Sequence, residues 1–383
     1  MKELLNNRVI QSEPSAIRYF NDFALEQGAT HFLTLGEPDF PTPDPIKQAL
    51  AKSLEENQTH YAPSQGLLSL RKAISQFEEM HSQTYYSPDE ILITAGSTEA
   101  ISTALSTILN PSDEVIVLNP AFSLYRQLIE IEGATCVTID TSSTHFQVTE
   151  KMIEEKVTSK TKAIILTSPN NPTGTILNED SLKAVQQCVL KHGFFVLCDD
   201  VYKQLVFEEA PSMSTQFEDI KEYIIVCQSF SKPYAMTGWR IGYLMADERF
   251  IKEALKVHQY RLTCVTTFIQ EATIAALACP IDYMVESYRE RRDYMYDRLV
   301  KMGLEVELPE GAFYMFPSIK KYGLSSWEFC EQFVLKEKVA LIPGSCFEAD
   351  DFIRLSYCVS LKTIEESMDR LENFLKALNS EAV

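Results

Sequence analysis

From about residue 90 onward, short apolar runs alternate with segments of helical period. The runs at 91–94, 114–118, 135–139, 163–167, 194–198, 223–228 and 241–245 are rich in Ile, Val and Leu and have the length of strands. Between them, 97–109, 125–132, 150–157 and 179–191 read as helices, and Gly133 and Gly193 follow two of these as stops. Regular strand–helix alternation predicts an α/β fold: a mostly parallel, doubly wound sheet with helices on both faces.

The two ends of the chain carry a different pattern. Residues 1–30 read as helical in part, with Ile17, Phe20 and Phe23 on one face. Helices are expected at 45–54 and 67–79, the second with Leu70, Ile74 and Phe77 at helical spacing. Two more, starting at 248 and ending near 278, close the alternating region, and Pro280 breaks the pattern. A long charged helix at 281–301 ends at Gly303, and strands at 311–316 and 353–358 mix with helices at 326–337 and 363–378. This predicts a large domain over 31–280 and a smaller α+β domain over 281–383, with residues 1–30 packed on the smaller one.

Composition narrows the class. A chain of 383 residues fits two domains, and 45% hydrophobic with 23% charged residues is ordinary for a water-soluble globular protein. The formal net charge of -19 argues against nucleic acid or an anionic membrane as partner. Nine cysteines, none in a Cys-x-x-Cys pair, read as small buried hydrophobes of a reducing cytoplasm. Neither a secretory h-region nor a run of 18 apolar residues stands out, and the six histidines lack metal-ligand spacing.

The candidate chemistry centres on Ser229-Phe230-Ser231-Lys232 and the Gly238-Trp239-Arg240 step that follows. A lysine of depressed pKa attacks carbonyls, so Lys232 is a candidate Schiff-base former toward an aldehyde cofactor. Ser229, Ser231 and Arg240 would hold that cofactor's phosphate. The stretch follows the apolar run 223–228, and open α/β sheets bind ligands beyond such strand ends. Gly96-Ser97-Thr98 opens the helix at 97–109, either as an anion site or as a plain N-cap. The proline-rich loop around Gly36 either presents backbone N–H groups or merely connects. Asp199 and Asp200 compete for the role of an acid at the end of the run 194–198.

Two signatures, Ser168-Pro169-Asn170-Asn171-Pro172-Thr173-Gly174 and Ser229-Phe230-Ser231-Lys232 with Gly238-Trp239-Arg240-Ile241-Gly242-Tyr243, occur in order along the chain. With them the sequence resembles the class I/II aminotransferases, pyridoxal 5'-phosphate enzymes of the aspartate-aminotransferase fold (fold type I). The resemblance implies that Lys232 forms the Schiff base and moves the substrate's α-proton. It selects Asp199 as partner of the pyridine nitrogen, with Tyr202 and Asn171 on the ring's phenolic oxygen and Phe122 stacked on the ring. Gly96, Ser97, Thr98, Ser229, Ser231 and Arg240 would take the phosphate. Tyr61 would reach it from the neighbouring subunit of a homodimer. Arg354 would grip the substrate α-carboxylate, assisted by Gly36 and Asn171. The implied reaction exchanges an amino group between an L-amino acid and a 2-oxo acid, with glutarate-type acids (glutamate and 2-oxoglutarate) as one pair. A cystathionine β-lyase-like C–S lyase is the rival within the fold. Two stretches, 255–260 and 296–304, resemble a bacterial subgroup labelled N-acetyl-LL-diaminopimelate or aromatic aminotransferases; aspartate is a further substrate alternative. Ile17, Tyr19 and Phe122 are then expected to line a roomy side-chain pocket.

Overall fold

The computed structural model describes residues 4–82, 84–208 and 213–381. Seven strands form the central sheet in the spatial order Ile91–Thr94, Gly242–Met245, Ile224–Ser229, Phe195–Asp199, Thr161–Thr167, Glu114–Asn119, Thr135–Asp140. Gly242–Met245 runs antiparallel to both its neighbours, and every other pairing is parallel. The α/β reading with a mostly parallel sheet therefore holds.

Both faces of the sheet are covered, which is why its strands are apolar throughout rather than alternating. Successive side chains point to opposite faces. Ile93, Ile116, Ile164, Val196 and Val226 pack into one apolar cluster with Leu70 and Ile74 of helix Leu68–Ser82 and Leu182 and Val185 of helix Glu179–His192. Their sequence neighbours Leu92, Val115, Val117, Ile165, Leu197 and Ile225 pack into the other. There they meet Ala104 of helix Ser97–Ile108, Ile129 of helix Leu124–Ile131 and Ala254 of helix Glu248–Leu262.

A third cluster gathers the two ends of the chain. Ile17, Phe20 and Ala24 of helix Ala16–Glu26 pack with Tyr288 and Met295 of helix Asp282–Lys301, Phe333 of helix Ser326–Glu337 and Leu371 of helix Leu361–Glu381. A small antiparallel sheet, Ile342–Pro343, Ile353–Ser356, Tyr314–Met315, lies within it. His31–Phe32 pairs in parallel with Val339–Ala340, and the Ser356 N–H donates to the Leu33 carbonyl at 2.9 Å.

The strand expected at 311–316 contracts to Tyr314–Met315. Gly311 and Ala312 send their N–H groups to the carbonyls of Gly174 and Leu205 instead, tying this loop to the central sheet's connections. Residues 4–30 hold two α-helices, Asn7–Gln11 and Ala16–Glu26, on either side of Pro14. All nine cysteines are free thiols, and Cys198 and Cys227 are buried in the sheet. Among the described residues no helix is long and apolar enough to cross a membrane.

Candidate active site

A cavity of about 650 Å³ lies where the carboxyl ends of Phe195–Asp199 and Ile224–Ser229 face the third apolar cluster. Ser97, Thr98, Ser229, Ser231 and Arg240 line one part of it. Helix Ser97–Ile108 starts here, with Gly96 as its N-cap at φ 86°. A Cβ on Gly96 would stand 2.8 Å from Arg240 Nη2, so a side chain there would displace the guanidinium. Arg240 itself adopts the left-handed region at φ 54°, and donates to the carbonyls of Thr237 (3.0 Å) and Ala95 (3.4 Å). Ser229 Oγ and Ser231 Oγ are 2.8 Å apart, and the Ser231 N–H donates to Ser229 Oγ at 3.1 Å. A helix N-terminus, two hydroxyls and a guanidinium thus converge on one end of the cavity, a donor set suited to a phosphate.

Asp199 closes its strand and is buried against the cavity. Tyr125 Oη donates to its Oδ2 at 2.6 Å and also meets Thr167 Oγ1 at 2.7 Å. Oδ1 of Asp199 is buried without a partner. Burial pushes this carboxyl up to about 6, with the bond from Tyr125 opposing the shift. Asp200 faces away. It sits 3.9 Å from Lys203, which donates to buried Glu78 at 2.8 Å. Alternation at the strand end separates these two neighbouring acids, and only Asp199 lines the cavity.

Lys232 is lowered from its usual pKa by burial, with Arg354 and Arg240 adding to the shift. Its Nζ donates to the Gly36 carbonyl. Tyr202 Oη and Tyr314 Oη are 2.7 Å apart. Phe122 lines the cavity and meets Tyr125 edge to face, with ring centres 6.1 Å apart.

Arg354 rises from strand Ile353–Ser356 and is 1% exposed. Nη1 donates to Asn171 Oδ1 at 2.9 Å, and Nη2 donates to the Thr34 carbonyl. Its guanidinium carbon lies 4.6 Å from the Tyr314 ring centre and 4.9 Å from that of Phe347. Nε is buried without a partner. The aromatic rings and two oxygens hold the fork in one orientation, facing the same cavity as Lys232.

Not every expected residue converges. Tyr61, expected to serve the neighbouring subunit rather than its own, is 88% exposed and lies outside the cavity of its own chain. Ile17 and Phe122 line the cavity as expected, but Tyr19 is 63% exposed and its ring lies 6.0 Å from Trp327. Residues two apart on a helix point to different faces, so Ile17 and Tyr19 do not share one wall. Tyr125, Tyr314, Thr34 and Arg18 also line the cavity, and none belongs to the two signatures. Tyr125 carried one signal, its place just after the loop containing Phe122. Among the described residues no cluster of potential metal ligands occurs.

Residues 32–371 match the protein family described as aminotransferase class I and II. The chain is 40% identical to a Bacillus subtilis protein named probable N-acetyl-LL-diaminopimelate aminotransferase, over 98% of this chain and 96% of that one. It is 36% identical to aromatic-amino-acid aminotransferase 2 of Thermococcus litoralis, over 97% and 98% of the two chains. Among solved structures, the aspartate aminotransferase of Thermotoga maritima superposes with a TM-score of 0.93 at 33% identity, covering 97% of this chain and 100% of that one.

Proposed function

Since this chain belongs to the class I and II aminotransferases, we propose that it passes an amino group between an L-amino acid and a 2-oxo acid, with Lys232 as its reactive amine. The observation that carries this reading is one cavity shared by Lys232, Asp199, Arg240 and Arg354, with Oδ1 of Asp199 and Nε of Arg354 buried and unpartnered.

The family implies pyridoxal 5'-phosphate, and the residues present fit it. Bound there, it would supply an aldehyde for amines and an electron-withdrawing ring. Ser229, Ser231, Arg240 and the helix start at Gly96, Ser97 and Thr98 would hold its phosphate. Asp199 would keep a proton on its pyridine nitrogen, and that cation would in turn draw the buried carboxyl back to its ionised form. Tyr202 and Asn171 would hydrogen-bond its phenolic oxygen, and Phe122 would cover its ring.

The chain's other groups act on the substrate. Arg354 binds the α-carboxylate through its pre-oriented fork, with Asn171 and Gly36 beside it. Burial favours the neutral amine of Lys232, so Lys232 can take the proton from the substrate's Cα and return one. Enclosure by Tyr202, Tyr314 and Phe122 limits water around that proton. We read glutamate and 2-oxoglutarate as one substrate pair and a long or aromatic 2-oxo acid as the partner. The cavity's size, the apolar wall of Ile17 and Phe122, and the names of the Bacillus and Thermococcus relatives support this. We also read residues 31–280 as one domain and 1–30 with 281–383 as the second, a division favoured by the separate apolar clusters.

Borohydride trapping tests the central role. Lys232→Ala is expected to abolish both turnover and covalently trapped cofactor, and trapping at another lysine would overturn the assignment. Asp199→Ala is expected to keep the fold and lose roughly 100-fold or more in turnover; an unchanged rate would move the role elsewhere. Pyruvate and ammonia released from cystathionine without an amino acceptor would point to the C–S lyase.

A further inference from the structure

We propose that Arg18 is the specificity residue for the distal acid group of a dicarboxylic substrate. This rests on the amino-transfer reading, because it names the far end of the molecule whose α-carboxylate Arg354 holds.

Arg18 lines the cavity from helix Ala16–Glu26, whose N-cap Ser15 accepts from the Arg18 N–H at 3.4 Å. Ile17 anchors that helix in the apolar cluster of the chain's two ends. Its neighbour Arg18, about 100° further round the helix, is left exposed at the cavity. Among the described residues its guanidinium makes no hydrogen bond or ion pair. Every other arginine of the chain has such a partner.

An unpaired arginine is conspicuous in a chain of net charge -19, where carboxylates are plentiful. The cavity's other cations are committed. Arg354 is locked by Asn171 and Thr34, Arg240 donates to the Thr237 and Ala95 carbonyls, and Lys232 is the reactive amine. Arg18 is the cation left over for substrate.

Its position suits the far end of a side chain. Arg18, Ser15, Thr98, Phe122 and Leu124 border both this cavity and an adjoining one of about 530 Å³. A substrate side chain extending away from the enclosed Arg354 towards that second chamber passes Arg18. A guanidinium there offers a two-pronged, charge-assisted grip to a terminal carboxylate, and nothing comparable to an apolar end.

Arg18→Met in the holoenzyme, assayed with 2-oxoglutarate and with the monocarboxylate 2-oxohexanoate as amino acceptors, tests this. The kcat/KM for 2-oxoglutarate is expected to fall roughly 10- to 100-fold, while that for 2-oxohexanoate stays within about twofold. Arg18→Lys is expected to recover part of the loss. Glutarate binding, measured by calorimetry, should weaken in parallel in Arg18→Met. Equal losses for the two acceptors, or no loss for either, would overturn the proposal. If the wild-type protein transfers no amino group yet binds glutarate through Arg18, the amino-transfer reading falls and the acid-binding role stands.

Discussion

Gly36 shows how tightly single residues are set in this cavity. A Cβ there would fall 1.8 Å from Tyr314 Oη, so any side chain must push the Tyr314 ring aside. That ring bonds Tyr202 and lies under the Arg354 guanidinium. Gly36→Ala is therefore expected to leave the circular-dichroism spectrum unchanged and lower kcat/KM by roughly 100-fold, the scale of a misplacement of about 1 Å. Unchanged kinetics would show that Tyr314 can yield without consequence. The residues at fixed spacing were legible in the sequence: Lys232 beside its serines, Arg240 eight positions on, Asn171 in its proline-rich loop. Arg18 was not, because it reaches the cavity by tertiary packing and carries no local signature, and Tyr125 had only its place after the loop containing Phe122.

At the scale of elements, the turn after Phe195–Asp199 is tied to helix Leu68–Ser82 by buried charge. Glu78 accepts from Lys203 (2.8 Å), Tyr243 (2.6 Å) and Ser82 (2.6 Å). Burial works against its ionisation, yet Lys203 and these donors hold it below the usual carboxylate range. Asp200 is the unsatisfied member. Burial pushes its carboxyl up to about 7, Lys203 opposes this, and Oδ1 has no partner. A raised folded-state pKa gives stability that is present below the unfolded value of 3.8 and lost as pH rises through about 7. Asp200→Asn removes that loss. It is expected to stabilise the protein by ~1–3 kcal/mol at pH ~8 and by progressively less towards pH ~5.5 in urea unfolding. A gain independent of pH would refute the account. Strand existence was readable from the uninterrupted apolar runs, and Glu114–Asn119 differs by one residue from the expected 114–118. The two-residue strands His31–Phe32, Val339–Ala340 and Ile342–Pro343 were not, since two residues carry no period. The insertion of Gly242–Met245 between Ile91–Thr94 and Ile224–Ser229 was equally hidden, because spatial order depends on crossovers rather than on strand composition.

For the whole molecule, the exposed tyrosines matter most. Tyr61 is 88% exposed and Tyr260 90% exposed, and the Tyr61 loop is held to helix Thr267–Ala276 by a bond from Thr267 to the His60 carbonyl. We expect a two-fold dimer in which each Tyr61 serves the other chain's phosphate site. Tyr61→Phe should hasten cofactor loss on dialysis without changing the sedimentation coefficient; an active monomer at assay concentration would contradict this. The pairing of the chain's two ends has a consequence for its birth. A ribosome delivers His31 long before Val339, its partner in the strand pair. At roughly 5–20 residues per second, the intervening stretch takes about 15–60 s to synthesise. For most of that interval, until residue 282 has been made, Ile17 and Phe20 have none of their partners from helix Asp282–Lys301 onward. The central sheet, complete by Met245, can form meanwhile, so the apolar face of the first long helix waits beside a forming core until the other end of the chain follows it.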